Sequence, residues 1–310
     1  MRPRQILIAG QGATATVFAA HLQRAGVQPV LLRRPGSPPR AQALHRLRRR
    51  RAPESVTLHL PSVTHLKELP RRPDQFWLCL PSQALLDDWL GEQLQALGNA
   101  TLVVSWTPDV RDRTRLRQYY AGPVLQGMAT FSAFRTPQPF ADLPAGIAWH
   151  LPATGAVVQR CPAGRDLARL LRAGGLPTLT SRDLPWLAAR LNALLIPAAA
   201  ALEHCDWSLQ ALRRSAQLGL AARGASEALR ISAHYLDHGV GRPLPRGLLL
   251  HALTRLLPVF SPMPLAPFLA QHFHKLAPQT RLMLDSWIEL GDRHALHCQA
   301  LHQLRQQLPG

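Results

Sequence analysis

Gly10, Gln11, Gly12, Ala13 and Ala15 follow directly on a short apolar run, Gln5 to Ala9, that predicts a buried strand. Gly10 permits a tight turn. Gly12 removes side-chain bulk where a pyrophosphate would approach. Ala15 is small enough for a helix to lie close against the strand. Backbone N–H groups at the start of that helix would face phosphates. Val27 to Leu32 predicts a second strand, ended by Arg33 and Arg34. An acidic residue there would hold the ribose hydroxyls of NAD. Two guanidinium groups cannot accept those bonds but can pair with a 2′-phosphate. The spacing therefore predicts a dinucleotide site favouring NADP(H). The alternatives are a site for another nucleotide and a fold that binds none; for the two arginines themselves, the alternative is simple solvation at a strand end.

Other chemistry is sparse. The four cysteines, Cys79, Cys161, Cys205 and Cys298, show no C-x-x-C and no metal spacing, so buried or incidental thiols are expected. His234 with His238 forms an i,i+4 pair, and His272 with His274 is close in sequence. No carboxylate accompanies either as in a known metal site, so no metal site is expected. No G-x-S-x-G element or Ser/His/Asp spacing supports hydrolase chemistry.

The elements that must position the turn follow from alternation. Strands are expected at 5–9, 28–32, 56–60, 76–80, 101–105 and 124–129, with a further one at 155–160. Helices are expected at 13–25, 39–49, 83–97, 109–118 and 164–172. Such alternation predicts an α/β Rossmann-type domain with a mostly parallel sheet. From about residue 184 the pattern is helical to 304, broken by Gly239, Gly241 and a Pro-rich stretch at 258–267. This predicts an all-α C-terminal domain, with domains at 1–178 and 179–310. Positions 191–203 are apolar but short, and read as a buried helix rather than a bilayer span. No signal peptide is visible, which makes cytoplasm the default location.

The chain has 310 residues and a formal net charge of +18, from 36 Lys and Arg against 18 Asp and Glu. Lysine occurs only at Lys67 and Lys275. The densest run, RLRRR ending at Arg50 with Arg51 following, reads as a solvated helix end or loop. It lacks interleaved aromatics and any helix-turn-helix or zinc-finger pattern, so nucleic acid is not the expected partner. The cationic balance suits small anions such as NADP and carboxylates.

The GQGATA turn, LLRRP after strand two, and WLAARLNALLIPAAAAL at 186–202 together resemble the ketopantoate reductase (2-dehydropantoate 2-reductase) family. RLMLDSWIELGDRHAL at 281–296 is a weaker echo. The resemblance covers most of the chain. It implies an N-terminal Rossmann domain, a helical C-terminal domain, a cleft between them, and NADPH-dependent reduction of ketopantoate. Arg34 matches the family position used for the 2′-phosphate.

Residue by residue, the likeness breaks at the chemistry. The family motif resembles W-x-K-x-x-x-N-x-x-x-N-P; here it reads Trp186, Ala188, Asn192, Ile196, Pro197. The proton-donating lysine is Ala188, which has no titratable proton. The first asparagine is retained as Asn192 and the second is Ile196. A family lysine after strand 76–80 corresponds to Pro81-Ser82. The family Asn-Gly after the next strand corresponds to Trp106-Thr107. Near the family's C-terminal serine and glutamate stand Arg281 with Leu282, and His294 with Ala295. His294 and Arg293 are candidate donors, Arg281 a candidate clamp for a substrate carboxylate, and Ser105 a candidate hydrogen-bond donor near a nicotinamide. Two functions are thus open. One is an NADPH-dependent oxidoreductase acting on a small 2-keto acid or related carbonyl, with diminished or absent ketopantoate activity. The other is a non-catalytic NADP(H)-binding sensor or partner subunit. The helical domain offers a homodimer face; no membrane partner is expected.

Overall fold

Strand β1 (Ile6–Ala9) is buried on both faces, and the reason is in its neighbours. Ile6 and Ile8 enter one apolar cluster with Phe18, Trp77 and Trp149. Leu7 and Ala9 enter another with Phe76, Leu90 and Leu116. A strand covered on both faces belongs to a parallel sheet wrapped by helices. The computed structural model describes residues 4–37, 42–49, 51–138, 141–239 and 246–308.

From β1 the chain turns into α1 (Ala13–Arg24) and returns as β2 (Val30–Leu32). An antiparallel hairpin follows, β3 (Gln42–Arg48) and β4 (Arg51–Leu58), then β5 (Ser62–Val63) and β6 (Gln75–Leu78). A short 3-10 turn at Ser82–Leu86 leads into α2 (Asp88–Ala96). Next come β7 (Leu102–Ser105), α3 (Asp112–Tyr119), β8 (Val124–Ala129), β9 (Ser132–Gln138) and β10 (Ala141–His150). The α/β part closes with β11 (Ala156–Gln159), α4 (Pro162–Ala173) and β12 (Thr178–Ser181).

The main sheet runs β12-β11-β8-β7-β6-β1-β2-β5. Every pairing is parallel except β8 with β11. Counting only its six parallel nucleotide-fold strands, β5-β2-β1-β6-β7-β8 is the 3-2-1-4-5-6 order of the Rossmann fold. The order reverses at β1, so a crevice opens past the carboxyl end of that strand.

A helix is expected at 39–49, but the described part of that segment, 42–49, is not helical: 42–48 are β3, and the RLRRR run begins in that strand with Arg49 in the turn after it. The strand expected at 56–60 is the end of β4, whose residues 51–57 are exposed, and the next sheet strand is β5. Leu44 and Leu47 are three residues apart, a spacing that a helix also accepts, but cross-strand contacts decide the outcome. Leu44, His45 and Arg46 pair with Ile147, Ala148 and Trp149 of β10. His45 bonds the Ser55 hydroxyl (2.8 Å) and the Pro144 carbonyl (3.1 Å). Arg46 lies over the Trp149 ring at 5.4 Å. A seven-residue segment with mixed periodicity takes whichever state its neighbours bury better. This four-stranded sheet, β4-β3-β10-β9, packs its inner residues against α1.

The all-α part comprises α5 (Leu184–His204), α6 (Leu209–Arg214), α7 (Gln217–Tyr235), α8 (Arg246–Phe260), α9 (Leu265–Arg293) and α10 (Gln299–Gln306). Gly239 falls in the break after α7, whereas Gly241 lies outside the described residues. Ala193, Ile196, Ala200, Leu229, Leu284, Trp287 and Leu301 form one core. The Trp287 indole donates to the Ser232 hydroxyl (2.9 Å). The Glu227 carboxylate accepts from the Ala300 and Leu301 backbone (3.2 and 3.0 Å), capping α10. Helix α5 is long and apolar enough to cross a membrane by composition, but half of that window is buried and it contributes Ala193, Ile196 and Ala200 to this core. The chain divides into two compact units, Met1–Thr107 with Asp112–Leu184, and Pro108–Arg111 with Pro185–Gly310. The short excursion at 108–111 joins the helical unit partly through Asn192, whose amide donates to the Pro108 carbonyl (2.8 Å).

Candidate functional site

The β1–α1 turn is built from its two glycines in different ways. Gly10 has φ +107°, and a Cβ there would sit 3.0 Å from the Cys79 carbonyl oxygen and 3.1 Å from Leu80 Cδ2. Only glycine takes that backbone in that space. Gly12 has an ordinary φ of −83° and caps α1. A Cβ on Gly12 would meet nothing within 4 Å. The absence of a side chain there leaves open space in front of the helix rather than relieving a clash. No acidic residue stands in the first turn of α1, so the partial positive charge of its N-terminus is not offset locally. Ala15 is fully buried against the sheet, as a small residue should be for close helix–strand packing.

Gly10 and Gln11 share a cavity of about 190 Å³ with Arg33, Arg34, Ser37, Leu80 and Trp89. The arginines after β2 and the glycine turn after β1 thus border one cavity beyond the carboxyl ends of two adjacent parallel strands. Each guanidinium is held. Arg33 Nε donates to the Ser62 hydroxyl (3.0 Å), and its Nη1 donates to the Ser37 carbonyl. Arg34 pairs with the Asp87 carboxylate and lies over the Trp89 ring at 5.9 Å. Asp87 also accepts from the Trp89 backbone N–H (3.0 Å) and so caps α2. The N-terminus of α2 therefore carries the partner that orients Arg34.

Sequence reasoning missed Trp89, Asp87 and Arg135. Arg135, on β9 of the second sheet, donates to the Gln11 carbonyl (2.9 Å). A third guanidinium is thereby anchored at the turn, from a residue 124 positions away in sequence. No local signal could have found it. Trp89 stands two residues after an N-capping aspartate, a detectable helix start with no mark of its use.

The residues past β6 and β7 are turned inward. The Ser82 hydroxyl is fully buried and donates to Asp112 (2.5 Å), which also accepts from Arg115 (2.8 Å). The Ser105 and Thr107 hydroxyls bond one another (2.7 Å) and are almost wholly buried. They border a cavity of about 20 Å³ together with Asp112, Gln126 and Gln159, room for about one water. Trp106 is core, packed on Phe18 with ring centroids 4.2 Å apart. Gly127 makes room for it, since a Cβ there would lie 2.5 Å from the indole.

In the helical unit the expected site residues have separate commitments. Ala188 and Ile196 are buried, and Asn192 between them serves the Pro108 carbonyl. Arg281 faces Glu203 at 3.5 Å. Arg293 pairs with Glu289 (2.7 Å), and Arg190 is exposed. His294 ends α9 and its ring meets that of His234 at 4.7 Å. His238 instead stacks flat on Trp186 at 5.2 Å, so the i,i+4 histidines have different ring partners. His272 stacks on Phe268 (5.3 Å), where burial, and then the nearby Lys275 charge, push its imidazole down to about 4.

Residues 6–150 match the profile of a family described as Ketopantoate reductase PanE/ApbA. No curated protein matches the chain. Among solved structures, a PanE/ApbA family ketopantoate reductase from Ralstonia eutropha JMP134 is similar at 17% identity and a TM-score of 0.72. That likeness covers 97% of this chain and 96% of the other. A 2-dehydropantoate 2-reductase from Geobacter metallireducens GS-15 is similar at 16% identity and a TM-score of 0.73, over 98% of both chains. D-mandelate dehydrogenase, solved with NADH and anilino(oxo)acetate, is similar at 15% identity and a TM-score of 0.74, over 98% of this chain and 96% of its own. At these identities the likeness is one of fold. It spans both the α/β and the helical parts.

Proposed function

We propose that this chain is an NADP(H)-dependent oxidoreductase of the ketopantoate reductase family, acting on a small 2-keto acid or related carbonyl other than ketopantoate. The observation that carries the reading is the cavity that Gly10 and Gln11 of the turn line together with Arg33 and Arg34. The residues present fit the cofactor. Open space lies in front of Gly12, the helix N-terminus is unopposed, and two guanidinium groups stand where a 2′-phosphate would lie. Arg33 is the stronger candidate for that phosphate, because its fixed partners are a hydroxyl and a carbonyl. Arg34 shares its charge with Asp87 and offers a flat cation beside Trp89, an arrangement suited to an adenine face. Arg135 and the α1 N-terminus would hold the pyrophosphate.

When bound, the cofactor supplies the hydride; the protein's part is to position the carbonyl and its proton source. Ala188 offers no proton. Ketopantoate turnover through the family's usual acid is therefore not expected, and an acid on another element or water would serve. Arg281 and His294 remain the candidates for a substrate carboxylate and a proton, each first having to leave Glu203 or His234.

A second reading is favoured by one observation. The stripe Ala188–Asn192–Ile196 is used for packing and for holding residues 108–111, so a non-catalytic NADP(H)-binding sensor or partner subunit suits it. Cytoplasmic location and a homodimer belong to both readings.

The test has two arms. Calorimetric titration with NADPH and NADH should show NADPH binding the tighter, and Arg33→Ala should weaken NADPH by about 10–100-fold while leaving NADH nearly unchanged. No heat and no thermal shift with either nucleotide would end both readings. NADPH oxidation with a panel of 2-keto acids then separates them. A rate equal to the protein-free control, in protein that binds NADPH, leaves only the non-catalytic one.

A further inference from the structure

At the junction of α9 and α10, three side chains of different chemistry converge: Asp292 from the last turn of α9, Cys298 immediately before α10, and His302 one turn into α10. Cys298 Sγ lies 3.2 Å from Asp292 Oδ1, and His302 Nε2 lies 3.4 Å from the same oxygen. One ligand atom from each falls within 4.8 Å of the others. We infer that Asp292, Cys298 and His302 bind a zinc-class divalent cation, which clamps α10 to the end of α9.

The separations carry this. A tetrahedral ion with ligands at about 2.0 Å for nitrogen and oxygen and about 2.3 Å for sulfur holds its ligand atoms about 3.3–3.6 Å apart. The two measured distances are already close to that, before any ion is placed. The backbone that sets them is independent of the cluster. The link turns through Ala295 at φ +52°, and the Leu296 N–H bonds the Gly291 carbonyl at 2.8 Å. Gly291 eases the approach, because a Cβ there would lie 3.1 Å from Cys298 Cβ and 3.2 Å from its sulfur, tighter than an ordinary contact. Cys298 thus lies against α9 at a residue with no side chain.

The donor set selects the metal. A thiolate and an imidazole favour zinc over magnesium or calcium, which take oxygen ligands. The surroundings are negative in a chain that is otherwise strongly basic, since the buried Glu227 carboxylate caps the same helix start. Cys298 is buried, whereas Asp292 is exposed and His302 partly so, which leaves water access to a fourth ligand position. Binding releases the Cys298 thiol proton to solvent. The sequence concealed this site because its cysteines are scattered, and the other two ligands are a carboxylate on the preceding helix and one histidine among 14. The site lies within the helical unit and is independent of the nucleotide reading.

The test uses the untagged full chain, stripped with a chelator and dialysed against zinc, then cobalt. One zinc per chain at micromolar free metal is expected, with a raised melting temperature. Cobalt should give tetrahedral visible bands and a thiolate-to-cobalt charge-transfer band. Cys298→Ser should abolish that band. Asp292→Asn and His302→Gln, which remove exposed groups and should leave the fold intact, should each weaken zinc by at least about 10-fold. Wild-type protein that takes up no zinc would overturn the inference and leave a hydrogen-bonded helix junction. So would a charge-transfer band surviving in Cys298→Ser, which would assign the metal to another thiol.

Discussion

The β1–α1 turn and the Ala188–Asn192–Ile196 stripe on α5 make an instructive contrast. At the turn, function would reside in backbone: a positive-φ glycine, an unopposed helix N-terminus and space in front of Gly12. On α5 it would reside in side chains, and the side chains are alanine and isoleucine flanking an asparagine already bonded to a backbone carbonyl. A backbone site is specified by what residues lack and survives most changes around it. A side-chain site is lost as soon as the titratable atom is gone, while the helix carrying it goes on packing.

The sharpest way to break this contrast is to add one methyl to each glycine. Gly10→Ala should destabilise the protein by about 1–3 kcal/mol, since it adds both strain and a close contact. Gly12→Ala should fold with a loss under about 1 kcal/mol, yet bind NADPH at least about 10-fold more weakly by calorimetry. Equal stability losses in the two, measured by urea unfolding, would remove the distinction between a structural and a ligand-facing glycine.

The other side of the contrast is probed by putting the missing lysine back. Ala188→Lys should cost about 1–3 kcal/mol, because Ala188 is buried and a longer cationic chain must displace its neighbours. It should bring no ketopantoate-dependent NADPH oxidation. A gain of 100-fold or more, the scale of a working general acid, would show that the stripe is a dormant site rather than packing. Asn192→Ala should cost about 1 kcal/mol through the lost bond to Pro108, and change turnover of any accepted keto acid by less than about 10-fold. A far larger loss of turnover at unchanged stability would place its amide on the substrate.

The smallest effect expected is on acid stability, and it involves one histidine in each unit. His21 is buried beneath Trp149 with Nδ1 2.7 Å from the Gly174 carbonyl; burial, above all, holds its imidazole below the ordinary 6.5. His272 is lowered to about 4, again mainly by burial. Both are neutral in the folded chain, and unfolding lets them take up protons near 6.5. Neither therefore penalises the fold above about pH 6.5, and both disfavour it as pH falls below that, His272 until about 4. Urea midpoints should drop between pH 7.5 and 5; midpoints that stay level or rise would contradict the assignment.

Much of the α/β part was legible because its strands are short apolar runs set between turns. The hairpin at 42–58 was not, since Leu44 and Leu47 fit a helix and only pairing with β10 makes the segment a strand. Ser105 reads in sequence as an available donor at a strand end, yet Thr107 and burial consume it.

What the residue order determined unaided is the strand–turn–helix at the start of the chain and the paired guanidinium groups ending the second strand. Those features rest on local requirements, backbone dihedrals and adjacent charge, that a few consecutive residues satisfy. Only the tertiary structure decided that Arg135 reaches Gln11, that Asp87 and Trp89 flank Arg34, and that Asn192 serves Pro108. Each of those contacts joins residues far apart in the chain, and the energy that selects them is burial and pairing, which no single segment contains.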